Sequence, residues 1–178
     1  MTLFDPRTWV KEVVTSTLFN AELKDHLNLL KDPPTDVIEN TATSNFTRTG
    51  ATTYADVSTT KFQATVTPSV PASRDCALLV VARFTLRPSD TSALNAVTFD
   101  LDQDGASVSE GDGLACVEGD NTVALPVSFM HIIEGVPGGA ATVIKLRWKI
   151  NTSARTATIY SNTGTYQQRS QFWVREIS

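Results

Sequence analysis

The sequence predicts a mainly β protein, an antiparallel sandwich or jelly roll preceded by one short helix and an extended arm. Three observations carry that expectation. Thr, Ser, Asn and Ala are abundant while Glu and Lys are sparse, a composition that favours strands and turns. From Phe46 onward apolar and polar residues alternate with a period of two. Clusters of Pro, Gly, Asn, Asp and Ser divide the alternating stretches into about eight strands.

The helix belongs to the N-terminal part. In "VVTSTLFNAELKDHLNLLKDPP", Leu23, Leu27 and Leu30 fall at i, i+4 and i+7, a narrow apolar stripe. Thr15 to Thr17 offer N-caps, Lys31 suits the C-terminal end of the dipole, and Pro33 and Pro34 stop the helix. So thin a stripe needs a surface to lie on. The segment "PPTDVIENTATSN" (33–45) is polar and weakly periodic, so it is expected as an extended connector. The resulting division is 1–32 anchor, 33–45 connector and 46–178 head.

Within the head, Phe62, Ala64 and Val66 alternate with Gln63, Thr65 and Thr67. "KLRWKI" sets Leu146, Trp148 and Ile150 against Lys145, Arg147 and Lys149, with Ile144 extending the apolar face. "TATIY" and "QFWVREI" follow. "CALLVVARFTL" and "VALPVSFMHII" are apolar in part on both faces, which places them centrally or against another subunit. Trp148 is expected inward. Trp173 and Phe172 point to opposite faces, so one of them meets a second surface, either a covering loop or a subunit contact.

The stretch "VTFDLDQDGASVSEGDG" (97–113) resembles a calcium loop at first sight. On a strand, Val97, Phe99 and Leu101 face the core, and Thr98, Asp100 and Asp102 are expected in solvent. Asp104-Gly105 then supplies the turn. An EF-hand starting at Asp100 needs its bidentate carboxylate at the twelfth position, which is Gly111 rather than Glu110. The weak calcium candidates are therefore Asp100, Asp102, Asp104 and Glu110, in a site of another kind, weighed against solvated acidic loops.

No enzyme is expected. His26 belongs to the helix, and His131 shares a strand face with Val127, Phe129 and Ile133, the usual place of a hydrogen-bonded core or interface histidine. There is no Gly-x-Ser-x-Gly elbow or cysteine-nucleophile signature. "GVPGGAA" lacks the lysine of a phosphate loop. Nothing separates a glycosidase carboxylate pair from surface acids. Cys76 and Cys116 lack metal spacing and suit free thiols in a reducing compartment. A net charge of −4 gives no pull toward nucleic acid or anionic lipid. No apolar run approaches a bilayer span, and the N-terminus does not resemble a signal peptide.

Two stretches carry a resemblance. "WVKEVVTSTLFNAELKDHLNLLKDPP", with Trp9, Glu12, Val14, Thr15, Asn20, Leu23, Lys24, Asp25, Leu27, Leu30, Lys31 and Pro33, resembles an N-terminal module of tailed-bacteriophage virion proteins. Lys11 stands where that module usually has Gly. The run "VSFMHIIEGVPGGAATVIKLRWKINTSARTATIYSN…FWVREI" resembles a TNF-like or complement-type jelly-roll head as phages use it. The resemblance implies a homotrimer on the outer surface of a phage particle, made in the host cytoplasm, with no catalytic residues or cofactor to carry over.

On that footing the expected function is a capsid decoration (cement) protein. Trp9, Leu23, Leu27 and Leu30 would dock on the major capsid protein or on tail proteins, and Phe129, His131 and Trp173 are candidates for the trimer interface. The alternative is a tail-tip or tail-fibre head binding host-surface glycan. A third class, a calcium-dependent lectin-like module, would use the acidic loops. Neither nucleic acid nor membrane insertion is expected.

Overall fold

In a computed structural model of the chain, the described residues are 35–39, 45–89, 95–119, 123–152, 154–160 and 170–177. The chain divides between Pro33 and Pro34, and the unit that begins at Pro34 is described by itself. The helix expected within 1–32, with Trp9, Leu23, Leu27 and Leu30, lies outside the described residues.

Period-two patterning becomes strand throughout. The strands are β1 (Thr35–Glu39), β2 (Phe46–Thr49), β3 (Ala55–Asp56), β4 (Gln63–Val66), β5 (Asp75–Ser89) and β6 (Asn95–Gln103). They continue as β7 (Ala106–Ser107), β8 (Ala115–Gly119), β9 (Leu125–Pro137), β10 (Thr142–Ile150), β11 (Thr156–Ile159) and β12 (Gln171–Glu176). They form two six-stranded antiparallel sheets.

Several strands lie end to end, so each sheet reduces to four rows. In the first sheet β11 and β12 follow one another along one side of β5, and β2 and β1 follow along their far side. β9 closes the other side of β5. In the second sheet β3 and β4 share one side of β10, β6 takes the other, and β7 and β8 share the far side of β6. Eight rows that change sheet at every step but one, from β6 to β7 and β8, make a jelly roll. The segment expected as a connector contributes part of it: Thr35–Glu39 pairs with β12, Thr35 opposite Arg175 and Glu39 opposite Gln171. Polarity concealed that strand, because an edge strand needs little apolar patterning when one side is wet.

The core lies where the inward faces meet. Phe62, Ala64 and Val66 are buried on β4 or just before it, and Ile144, Leu146, Trp148 and Ile150 on β10. Leu78, Val80, Ala82, Phe84 and Leu86 are buried on β5. A run of aromatic rings ties the layers together. Phe46 meets Phe62 edge-on at 5.6 Å, Phe62 meets Phe84 edge-on at 5.9 Å, and Phe84 tilts against Phe99 at 5.0 Å. Phe99 then stacks on Trp148, with centroids 6.4 Å apart. Offset and edge-on pairs of this kind add to area burial.

The acidic stretch differs from expectation. Asp100 is 0% exposed and Asp102 4%, although both lie on the side of β6 away from Phe99 and Leu101. Residues of the β7–β8 connection fold back over them. Asp100 accepts hydrogen bonds from the Ser107 hydroxyl at 2.5 Å and the Ser109 amide at 3.2 Å. Asp102 accepts from the Gly105 amide at 3.0 Å and lies 3.4 Å from the Arg147 guanidinium. Buried carboxylates are tolerated because their oxygens are satisfied in this way.

Candidate self-association surface

Strand parity decides which side chains leave the sandwich. On β5, Leu78, Val80, Ala82 and Phe84 point inward, so Ala77, Leu79 and Val81 point out. On β12, Phe172 and Val174 are buried and Trp173 is partly exposed. On β9 the outward residues are Ser128, Met130, Ile132 and Glu134.

The register aligns these positions. Val37 lies opposite Trp173, Trp173 opposite Val81, and Val81 opposite Met130. One apolar row therefore crosses the whole first sheet on its outer face. The next row is Thr35, Arg175, Leu79 and Ile132. On the other side Gln171, Arg83 and Ser128 make a polar row. Beyond Arg175, Ile177 donates its amide to the Ala77 carbonyl at 3.0 Å.

Exposure follows the same geometry.

 Met130 is 74% exposed, Val37 53%, Ile132 48% and Ile177 36%. Among the described residues, the only other large apolar side chain so exposed is Val123. Four exposed apolar residues on one sheet face, joined by partly exposed Trp173, Val81 and Leu79, form a continuous patch. Scattered surface apolar residues need no explanation, but a continuous patch rimmed by polar residues marks a contact.

The expected interface residues separate here. Trp173 lies in the apolar row. Phe129 and His131 lie on the inner side of β9, opposite Ala82 and Val80. Phe129 packs against the core and tilts over Phe99 at 6.4 Å. His131 is partly exposed and lines a cleft of about 590 Å³ with Gln103, Asp104, Ser107 and Glu134 among its walls. Sequence reasoning missed Val37, Leu79, Val81, Met130 and Ile132. For all but Val37 the signal was the doubly apolar "LLVV" and "FMHII", whose second face is this patch.

Three of the four calcium candidates accept hydrogen bonds from the chain. Asp100 and Asp102 hold the loop above them, and Asp104 accepts from the Val143 amide at 2.8 Å. Glu110 is exposed with φ of 55°. Among the described residues no three His, Cys, Asp or Glu side chains gather as a metal ion would require.

The outer face of the second sheet is a charge network. Asp56 lies 3.3 Å from Lys145 and 3.7 Å from Arg147, and Arg147 reaches Asp102. The Lys149 ammonium sits 4.5 Å from the centre of the Tyr54 ring. Burial, reinforced by Asp100, Asp112 and Cys116, pushes the Tyr54 phenol up to about 12. Such a network ties the loops of this face to β6 and β10.

No protein-family model matches the chain, and no curated protein does. Solved structures do match. The CBM22-1 xylan-binding domain from Paenibacillus barcinonensis Xyn10C is 11% identical, with 81% of this chain and 82% of that chain covered and a TM-score of 0.35. Eiger TNF from S. frugiperda is 9% identical, with 82% and 94% covered and a TM-score of 0.42. A chain of infectious bursal disease virus, Gt strain, is 17% identical at a TM-score of 0.37, with 82% of this chain but 37% of that one covered. Likeness at this level assigns neither family nor function.

Proposed function

We propose that the protein is a non-enzymatic structural component of a tailed-phage virion, a homotrimeric decoration protein of the capsid held by its N-terminal arm. The observation that carries this reading is the apolar row Val37–Trp173–Val81–Met130 on the outer face of the first sheet. A patch of that extent is covered by further copies of the chain. Three copies related by a threefold axis bury it in a closed ring, and closure prevents open filaments. The sequence resemblance of the head and of the segment Trp9–Pro33 supports the phage assignment.

In this reading affinity for the particle comes from number. Three arms on one trimer bind as one unit, so weak single contacts at Trp9, Leu23, Leu27 and Leu30 sum to a firm grip. The major capsid protein is the partner, the outer surface of the virion is the location, and neither cofactor nor catalysis is required.

The test is location on the particle. Antibodies raised against this chain, imaged on intact virions, are expected to label the head. Label at the tail tip would favour the glycan-binding alternative, and absence of the chain from purified virions would overturn the phage assignment.

A further inference from the structure

A second surface adjoins the apolar patch and shares Ile132 with it. β9 pairs with β5 along one side, and among the described residues its other side has no partner strand. Four consecutive residues of β9, His131 to Glu134, line the cleft of about 590 Å³. Consecutive residues point to opposite faces, so what they share is the backbone edge itself. The far wall comes from the end of β6 and the β6–β7 hairpin, with Gln103, Asp104 and Ser107. The cleft thus runs along a free strand edge whose N–H and C=O groups await partners.

Asp104 and Glu134 are exposed at the cleft, and among the described residues no Lys or Arg lines it. Pro126 and Pro137 bound the free edge near its two ends, and Pro cannot donate to a ladder. The open window is therefore the stretch between them.

From this we infer that β9 receives an extended, basic segment of a partner protein, which adds as the next strand of the first sheet. Main-chain hydrogen bonds to β9 supply affinity, and a Lys or Arg of the incoming strand meets Glu134 and Asp104. The inference does not depend on the trimer, because strand addition uses the edge of the sheet and the apolar patch uses its face.

The test uses the full chain and three synthetic peptides. One alternates valine and threonine with central lysines, one replaces those lysines by glutamate, and one interrupts the lysine peptide with proline. Expected are binding of the lysine peptide, slowed amide exchange within Val127–Val136, and no binding of the proline peptide. Glu134→Lys should weaken the lysine peptide by roughly tenfold, since a rim attraction becomes a repulsion. Circular dichroism of the variant confirms that it is folded. Equal binding of lysine and glutamate peptides, or no binding of any, overturns the inference. So does amide protection of β9 that is present without peptide and rises with protein concentration, which would mean that a second copy covers this edge.

Discussion

Cys76 lies on the inward side of β5, 6% exposed, and burial pushes its thiol up to about 11, with Glu176 and Asp75 adding to the effect. Its ordinary value is 9.0, so the folded chain holds this proton more tightly than the unfolded one. Stability is therefore complete below about pH 9 and is lost as pH rises toward 11. Tyr54 acts with the same sign over the next interval, up to about 12. Two measurements follow from these residues. Alkylation at pH 8 should modify exposed Cys116 and spare Cys76, and the urea midpoint should fall steadily above pH 9. Gly138 is constrained by contact: a Cβ there would come 2.3 Å from the Val70 carbonyl and 2.5 Å from that of Pro71. Gly138→Ala is expected to cost about 1–3 kcal/mol, read from urea unfolding, and an unchanged midpoint would show that the β9–β10 turn can yield.

At the scale of elements, β6 and its covering loop form one unit. Asp100 satisfies Ser107 and the Ser109 amide, and those serines in turn hold the Gly111 and Gly113 amides at 3.0 Å and 2.7 Å. Asp100→Ala leaves these donors short of an acceptor and should cost about 1–3 kcal/mol. Glu110→Gln, on the exposed tip, should stay within about 0.5 kcal/mol. If the two variants behave alike in denaturant melts, the loop is not organised by Asp100. Parity made Val97, Phe99 and Leu101 legible as core, and Asp104-Gly105 legible as a turn; the latter has φ of 52° and 95°. The burial of Asp100 and Asp102 was not legible, because alternation along one strand says nothing of a later segment folding over its polar side. β9 teaches the same limit. Its two apolar faces are plain in "FMHII", but which face meets the core depends on the pairing with β5. That pairing turns Phe129 inward and Met130 outward.

At the scale of the whole molecule, the proposed trimer requires that copies of the chain cover the outer face of the first sheet. An antiparallel sandwich or jelly roll was legible in the spacing and alternation, whereas the patch needed the cross-strand register of four strands from distant parts of the chain. Met130→Lys places a charge in the most exposed position of the row without touching the core, so it should dissociate the assembly and leave the monomer folded. The most direct measurement is the mass of the full chain in solution, by light scattering after gel filtration, with and without chelator, beside Met130→Lys. Three chain masses are expected for the natural sequence, unchanged by chelator, and one for the variant. A natural chain that runs as a monomer would contradict the proposed trimer, and a trimer that dissociates with chelator would make Asp100, Asp102, Asp104 and Glu110 ion ligands that hold the assembly.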